Sequence, residues 1–300
     1  MGKLGKNIIT KTGDCLFLGL YRRITRSGPE GMMKRARALA RLYSLLDRRR
    51  IKIARRNLLL AFGDSLDEKE RSRIIGESIT NFIYEAQMFF WMGEHGDGAL
   101  KLETDGDEYL QEAASRGKGV IILTAHFGNW ELLARSLTNR GFRLTVIARN
   151  SDGAELNAVT ARIRREGGYT VLDRNASLTE TVRVLRRGEL LGILPDQHYY
   201  GGIESAFFGA PALTSVGTSA FSLKTGAAIV PGFCVRTAPD SYRVEFYPPL
   251  EYSPTGDEAL DRKNLTRLVN DAIEAEIRRY PSSWLWIHDR WKEYFEGQER

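Results

Sequence analysis

Apolar side chains recur at helical spacing through the first ninety residues of the chain. Pro29 suits the start of one helix, and a second helical stretch, residues 51–62, stops at Gly63. Asp67 can cap a third, long helix whose apolar positions continue to Phe89. The pattern predicts a helical N-terminal region, which we place at residues 1–98.

From about residue 100 the pattern changes to short, continuous apolar runs that alternate with amphipathic stretches. The runs occupy residues 119–125, 144–148, 169–172, 190–194 and 228–235, and the helical stretches between them occupy residues 131–139, 154–165, 178–186 and 216–224. Continuous apolar strands alternating with helices are typical of a parallel sheet covered on both faces. The pattern therefore predicts an α/β fold, with a mostly parallel mixed sheet flanked by helices behind the N-terminal helical region.

Two further segments complete the predicted core. Residues 242–247 alternate charged and apolar side chains, which indicates an edge strand or a hairpin partner. A last long helix, residues 260–279, precedes an aromatic and basic tail. We assign residues 99–300 to this core and expect it to form one integrated domain with the helices before it.

Positive charge is concentrated at the N-terminus. The net charge is +6, but residues 1–60 carry +13 and the other residues −7. Such a segment suits nucleic acid, anionic lipid or an acidic carrier protein. The apolar run at residues 15–21 is too short to span a bilayer, so we expect it to lie in a membrane interface or to dock on its own domain. The two cysteines, Cys15 and Cys234, are too few and too far apart for a disulfide framework.

Polar side chains follow two of the apolar runs. His126, Asn129 and Glu131 come after the run at 119–125, while Asp196 and His198 come after the run at 190–194. Ligands of an open parallel sheet bind beyond the carboxyl ends of its strands. We therefore expect both groups to open onto the same edge of the sheet.

His126 and Glu131 together suggest acid-base chemistry. Their spacing of five would separate them by about 140° on an unbroken helix, so Gly128 and Asn129 instead indicate a turn, with Glu131 in the first turn of the next helix. A carboxylate that accepts one imidazole N–H leaves the other nitrogen free as a general base. A satisfied structural histidine is the alternative on spacing alone.

The string from Ala125 to Glu131 closely resembles the HX4D/E motif of glycerolipid acyltransferases. Within them it resembles the late acyltransferases of bacterial lipid A biosynthesis, which transfer lauroyl and myristoyl chains. The resemblance extends over nearly the whole chain through residues 55–58, 194–197, 207–214 and 284–292. It implies the mixed α/β fold of that superfamily, which agrees with the pattern above.

The resemblance implies roles for particular residues. His126 would be the base, Glu131 its partner and Asp196 a functional acid. Substrate would contact Asp196 and the residues Arg149, Arg164, Arg174, Phe207 and Phe208, although a core position is equally open for the two phenylalanines. The family usually has Asp-Gln-Asp where this chain has Asp196-Gln197-His198, so the role of His198 stays open.

The resemblance also implies the partners and the location. An acyl carrier protein thioester would donate the acyl chain to a hydroxyl of a phosphorylated lipid A precursor, without a metal or other cofactor. The basic N-terminal segment would hold the enzyme, peripheral or monotopic, at the cytoplasmic face of the inner membrane. The alternatives are another lipid acceptor (an amino-lipid, a glycolipid or a glycerophospholipid), acyl-CoA as donor, or a non-enzymatic lipid-binding protein. No nucleic-acid-binding motif accompanies the basic cluster.

Overall fold

The computed structural model describes residues 19, 21–148, 154–173 and 177–298. Three helices precede the sheet: α1 (Pro29–Leu46), α2 (Arg48–Phe62) and α3 (Glu68–His95), with a short 3-10 turn at Gly63–Ser65. Asp67 accepts the backbone N–H of Glu70 and so caps α3, as its position predicted. Of the apolar run at residues 15–21, residues 15–18 and 20 lie outside the described residues.

A seven-stranded mixed sheet forms the centre of the chain. Its strands are β1 (Lys101–Asp105), β2 (Val120–Leu123), β3 (Leu144–Ala148), β4 (Thr170–Asp173), β5 (Leu190–Ile193), β8 (Ala228–Ala238) and β9 (Ser241–Phe246). They lie in the order β1-β9-β8-β2-β5-β3-β4, and every neighbouring pair is parallel except β8 and β9. The prediction of a mostly parallel mixed sheet is confirmed.

Helices and a hairpin connect the strands. The helices are α4 (Asp107–Ser115), α5 (Trp130–Asn139), α6 (Ala154–Glu166), α7 (Leu178–Arg186), α8 (Gly217–Thr225), α9 (Glu258–Arg279) and α10 (Lys292–Gln298), with a 3-10 turn at Pro281–Ser283. A separate hairpin pairs β6 (Ile203–Phe207) with β7 (Ala210–Thr214). Its two loop residues, Phe208 and Gly209, both have positive φ, as a tight two-residue hairpin turn requires.

The strand predicted at residues 242–247 is a hairpin partner inside the sheet. Residues 242–247 were expected at an edge or in a hairpin, and β9 is indeed the hairpin partner of β8, but it is not an edge strand. β1 pairs with its outer side. The side chains of β1 are all exposed, and an exposed strand lacks the apolar pattern that reveals the buried strands.

Buried apolar side chains pack on both faces of the sheet. One cluster joins α2, α3 and α9 to alternate residues of β2, β5 and β8 and to three C-terminal tryptophans, Trp284, Trp286 and Trp291. The other joins α1, α3 and α5 to the opposite residues of the same strands. Because α3 contributes to both clusters, the N-terminal helices share the core of the sheet.

Candidate active site

Two adjacent strands bring His126 and Asp196 together. β2 and β5 run parallel, with Leu123 paired to Ile193 as the last residue of each strand. His126 and Asp196 each follow three residues later. Equal offsets from a paired position place both side chains at the same height above the sheet edge, 70 residues apart in the chain.

Asp196 receives three hydrogen bonds at this edge. Its Oδ1 lies 3.0 Å from Nδ1 of His126, and its Oδ2 accepts the backbone N–H of His126 at 3.1 Å. Trp284 donates its indole N–H to Oδ2 at 2.9 Å. Burial alone would raise the pKa of Asp196, but His126 and these donors outweigh it and hold the pKa below its usual range. The buried group is therefore a carboxylate.

The carboxylate determines how His126 presents its ring. An ionised Asp196 accepts the proton on Nδ1, which leaves Nε2 with the lone pair. The ring packs edge-on against Trp130 at 5.4 Å between centroids, and the side chain stays 28% exposed. His126 thus has the tautomer and the access that a general base needs.

A tight turn carries the chain from His126 into α5. Gly128 has a φ of +53°, and a Cβ there would lie 2.0 Å from the carbonyl oxygen of Cys234. Asn129 caps the helix by accepting the N–H of Leu132 at 2.8 Å, and its amide donates to the buried Glu85 on α3 at 2.8 Å. The N-terminal helices therefore fix the turn that holds His126.

Glu131 has different partners from the one predicted. It lies in the first turn of α5 as expected, but its Oε1 accepts Nη2 and Nε of Arg164 at 2.6 and 3.1 Å. Its Oε2 accepts the hydroxyl of Tyr169. Within the described residues Glu131 makes no hydrogen bond to His126, and the carboxylate at the His126 ring is that of Asp196. The sequence pattern missed this exchange because Asp196 comes from a different strand.

Arg164 and Tyr169 form a partly buried cluster with Glu131. The pKa of Tyr169 is raised, by burial and then by the Glu131 carboxylate. Burial would lower the pKa of Arg164, but its ion pair with Glu131 outweighs burial and raises it. Tyr169 therefore acts as a neutral hydrogen-bond donor and Arg164 as a fixed cation. The other two predicted arginines, Arg149 and Arg174, lie outside the described residues.

Phe207 and Phe208 lie in the core instead of the site. Phe207 is fully buried and packs against Trp284 and Trp291 at 5.7 and 5.5 Å between ring centroids. Phe208 packs against Phe207 at 5.1 Å and is also buried. Neither residue lines the cavity at His126. Of the two positions left open for them, they occupy the core position in this structure, where the hairpin covers the aromatic cluster.

His198 links the site to the C-terminal segment. Its Nε2 lies 2.6 Å from Oε2 of Glu293, and its backbone N–H donates to Nε2 of His288 at 2.9 Å. Burial lowers the pKa of His288 to about 4, so His288 is neutral and accepts this hydrogen bond. The third position of the Asp196-Gln197-His198 block therefore holds the C-terminal tail against the site.

A cavity of about 730 Å³ opens at His126. Glu131 and Arg164 line it together with His198, and its inner wall is apolar, formed in part by Leu133, Leu137, Leu144 and Val146. Thr124 also lines the cavity, and its buried hydroxyl has no hydrogen-bond partner among the described residues. Side chains from α5, β2, β3, β5 and α6 thus enclose one space lined by both polar and apolar groups.

Three residues of the site were not predicted from the sequence. Trp284, Tyr169 and Thr124 each reach the site from a segment whose pattern reads as ordinary core or strand. Only Trp284 carried a usable signal, because it begins the last block of the family resemblance. Among the described residues, no group of three or more His, Cys, Asp or Glu side chains is placed to hold a metal ion.

Comparison with known proteins gives the family. The family model described as bacterial lipid A biosynthesis acyltransferase matches residues 7–293. The chain belongs to this family. It is therefore an acyltransferase that acts on a lipid acceptor.

The names of its relatives give different acyl chains and different lipid acceptors. It is 29% identical to the lipid A biosynthesis lauroyltransferase of Escherichia coli K12 over 86% of this chain and 84% of that one. It is 30% identical to the palmitoleoyltransferase of the same organism, over 82% and 79%. It is 25% identical to a phosphatidylinositol mannoside acyltransferase of Mycobacterium tuberculosis, over 62% and 58%.

Proposed function

We propose that this acyltransferase moves a fatty acyl chain from the thioester of acyl carrier protein to a hydroxyl of a phosphorylated lipid A precursor. His126 is the general base, and Asp196 orients its ring and stabilises its protonated form. The observation that carries this proposal is the Nδ1 hydrogen bond of His126 to a buried carboxylate beside a large cavity. It supports a base that acts on a hydroxyl in that cavity.

His126, supported by Asp196, can carry out every proton transfer of the proposed reaction. Nε2 of His126 takes the hydroxyl proton as the acceptor oxygen attacks the thioester carbonyl carbon. Asp196 stabilises the imidazolium that forms. The tetrahedral intermediate then breaks its C–S bond, and the departing sulfur takes the proton from His126.

Two groups in the cavity can stabilise the developing oxyanion. Thr124 offers a hydroxyl without another partner, and a donor aimed at developing charge is often worth 10²-fold or more in rate. Arg164 offers Nη1, since its Nε and Nη2 are occupied by Glu131. In this proposal Glu131 is a positioning residue that fixes Arg164 at the cavity wall.

The apolar inner wall of the cavity suits the acyl chain of the donor. Leu133, Leu137, Leu144 and Val146 replace water around a hydrocarbon, which is favourable in proportion to the apolar area buried. The carrier protein itself is acidic and needs a cationic surface. Exposed Arg48, Arg49 and Lys52 on α2 provide one, because α2 packs against the C-terminal segment that reaches His198.

Helix α1 supports attachment to a membrane surface. Its leucines Leu39, Leu42, Leu45 and Leu46 are 39%, 51%, 67% and 75% exposed. Lysine and arginine flank them, a combination that binds an anionic interface. No helix among the described residues is both long enough and apolar enough to cross a bilayer. We propose that the enzyme is peripheral or monotopic at the cytoplasmic face of the inner membrane.

The relatives differ in the lipid acceptor that their names give. The match to phosphatidylinositol mannoside acyltransferases favours a second candidate, transfer to a different glycolipid with the same base. Acyl-CoA is the corresponding alternative to the carrier-protein donor. Both candidates keep the roles of His126 and Asp196 and change only what enters the cavity.

A transfer assay tests the proposal. Labelled acyl carrier protein thioester is mixed with a tetra-acylated lipid A precursor in detergent, and His126→Ala is compared with the wild type. We expect the variant to lose at least about 10²-fold in turnover. An acceptor panel with a phosphatidylinositol mannoside, run in parallel with acyl-CoA, separates the two candidates.

The control is Gln197→Ala, which alters a neighbour of Asp196 that also lines the cavity but makes no hydrogen bond to His126. Circular dichroism confirms that each variant is folded. Unchanged turnover in folded His126→Ala contradicts the mechanism. Failure of the wild type with the lipid A precursor, together with transfer to the mannoside, replaces the acceptor and retains the base.

A further inference from the structure

A second, larger cavity lies outside the active-site cavity. It is a groove of about 1230 Å³ between α1 and α3, and the ends of β8 and β9 and the Pro281–Ser283 turn close its floor. We call it the α1–α3 groove. Its lining combines cations with hydroxyl and amide groups, among them Arg37, Arg41, Ser72, Thr80 and Asn81.

Most of the cations in this groove are neutralised by the protein. Arg73 pairs with Glu70 and Glu77, and Arg236 pairs with Glu85. Arg243 pairs with Glu103, while Arg279 pairs with Glu245.

Arg37 and Arg41 are the exceptions. They lie one turn apart on α1, and neither has an acidic partner within the described residues. Within the described residues the groove therefore carries two exposed positive charges that are open to an anionic ligand.

The α1–α3 groove borders the active site. The Ser283 carbonyl in its wall accepts the N–H of Gly128 at 2.9 Å, two residues beyond His126. Phe82, next to Asn81 of the groove, stacks on Trp130 of the active-site cavity at 6.4 Å. Trp130 in turn packs edge-on against His126 at 5.4 Å between ring centroids, so side-chain contacts connect the wall of the groove to His126.

The groove also borders the exposed leucines of α1. Leu45 lines the groove itself, and Leu42 lies one turn before it with half of its surface exposed. A lipid bound here can keep its hydrocarbon chains against these leucines and in the bilayer. Only its headgroup would enter the polar part of the groove.

We infer that the α1–α3 groove binds the headgroup of the acceptor, a membrane lipid whose sugar carries phosphate, with Arg37 and Arg41 as its phosphate ligands. Guanidinium groups bind phosphate through paired N–H donors, and the hydroxyl-rich wall suits a sugar. This inference rests on the proposed function, because it divides the substrates between two cavities. The acyl donor fills the cavity at His126, and the acceptor approaches from the groove.

The test uses the full-length protein with Arg37→Gln/Arg41→Gln. The control is Arg183→Gln/Arg186→Gln, which removes the same charge from exposed positions on α7. Transfer is measured against lipid A precursor in phosphatidylcholine vesicles, with the acyl carrier protein thioester varied separately. We expect the groove variant to raise KM for the precursor at least about 10-fold, with KM for the thioester unchanged. The control should leave both KM values unchanged.

Binding without turnover distinguishes a headgroup site from general attraction to anionic lipid. Phosphatidylcholine vesicles carry either the lipid A precursor or phosphatidylglycerol at equal surface charge. The groove variant should lose most of its affinity for the precursor vesicles and much less for the phosphatidylglycerol vesicles, because other cations of α1 and α2 still face the membrane. Equal loss on both vesicles, or a raised KM for the thioester instead, overturns the inference.

The inference and the proposed function fail in different ways. A groove variant with unchanged KM for the precursor removes the headgroup site but leaves the His126 mechanism intact. A folded His126→Ala variant with full turnover removes the mechanism but leaves precursor binding in the groove measurable on vesicles. The groove variant therefore tests the headgroup site, and His126→Ala tests the mechanism independently of it.

Discussion

His126 and Asp196 are joined by an Nδ1–Oδ1 hydrogen bond of 3.0 Å, although 70 residues separate them in the chain. Asp196 is 1% exposed, whereas the histidine side chain keeps 28% of its surface open to the cavity. A buried carboxylate behind a partly open imidazole fixes the tautomer and stabilises the imidazolium.

Asp196→Asn should lower kcat by about 10²-fold to 10⁴-fold, because an amide neither stabilises the imidazolium nor enforces the Nδ1–H tautomer. The imidazolium loses a buried negative partner, so the acid limb of the kcat/KM profile should move to lower pH. Steady-state kinetics across pH measures both effects. Glu131→Gln is the comparison, and an acid limb that moves with Glu131 instead of Asp196 would contradict the pairing.

Trp284 is predicted to act as a positioning residue through its indole N–H to Asp196. Trp284→Phe keeps the aromatic packing but leaves the carboxylate less well satisfied, so it should hold the imidazolium more tightly. We expect kcat to fall about 10-fold with KM unchanged, and the acid limb to move to higher pH. The pH profile of the variant provides the measurement.

Two other tryptophans of the same cluster provide matched controls for Trp284→Phe. Trp286 donates its indole N–H to the carbonyl of Pro281 at 2.7 Å, and Trp291 donates to that of Phe207 at 3.0 Å. Trp286→Phe and Trp291→Phe should lower the melting temperature without moving the acid limb. An equal pH shift in all three variants would assign Trp284 to packing alone.

Thr124→Val tests the unpartnered hydroxyl in the cavity. The substitution keeps the shape of the side chain and removes a buried polar group without a partner. We expect stability to be unchanged or slightly higher and kcat to fall by about 10-fold to 10²-fold, as for a donor to the oxyanion. Thr124→Ser should retain most of the activity. An active Thr124→Val enzyme assigns the oxyanion to Arg164 and the backbone.

Substitutions in the Glu131 cluster are expected to lower kcat by different amounts. Glu131→Ala leaves Arg164 without its carboxylate and frees it to leave the cavity wall, so we expect the larger fall in kcat, about 10²-fold. Tyr169→Phe removes one hydrogen bond and keeps the Arg164 ion pair, so we expect less than about 10-fold. Single-turnover rates measure the order. The reverse order would make Tyr169 the principal group.

Stability should depend on pH through Glu276. Burial, and then the neighbouring Glu245, raises the pKa of Glu276 from 4.5 to about 8. The folded protein therefore holds a proton that the unfolded chain releases, so the free energy of unfolding should fall as pH rises from about 4.5 to 8. Glu276→Gln should flatten this decline in denaturant titrations, whereas Glu258→Gln at an exposed position should not. Parallel curves would contradict the assignment.

The sequence by itself determined the fold class and the reaction class of this protein. Continuous apolar runs identify buried parallel strands, because burial on both faces requires apolar side chains at every position, and the exposed strand β1 left no such pattern. The turn at Gly128 and the helix cap at Asn129 are local, so the start of α5 followed from neighbouring residues alone.

Only the tertiary structure decided which side chains meet. Asp196 replaces Glu131 as the partner of His126 because β2 and β5 are neighbours in the sheet, and strand order is not encoded in any local spacing. Trp284 reaches Asp196 from a segment 88 residues farther along the chain, again through packing. Hydrogen bonds between side chains depend on positions in space, which the whole folded core sets, and sequence distance alone does not reveal them.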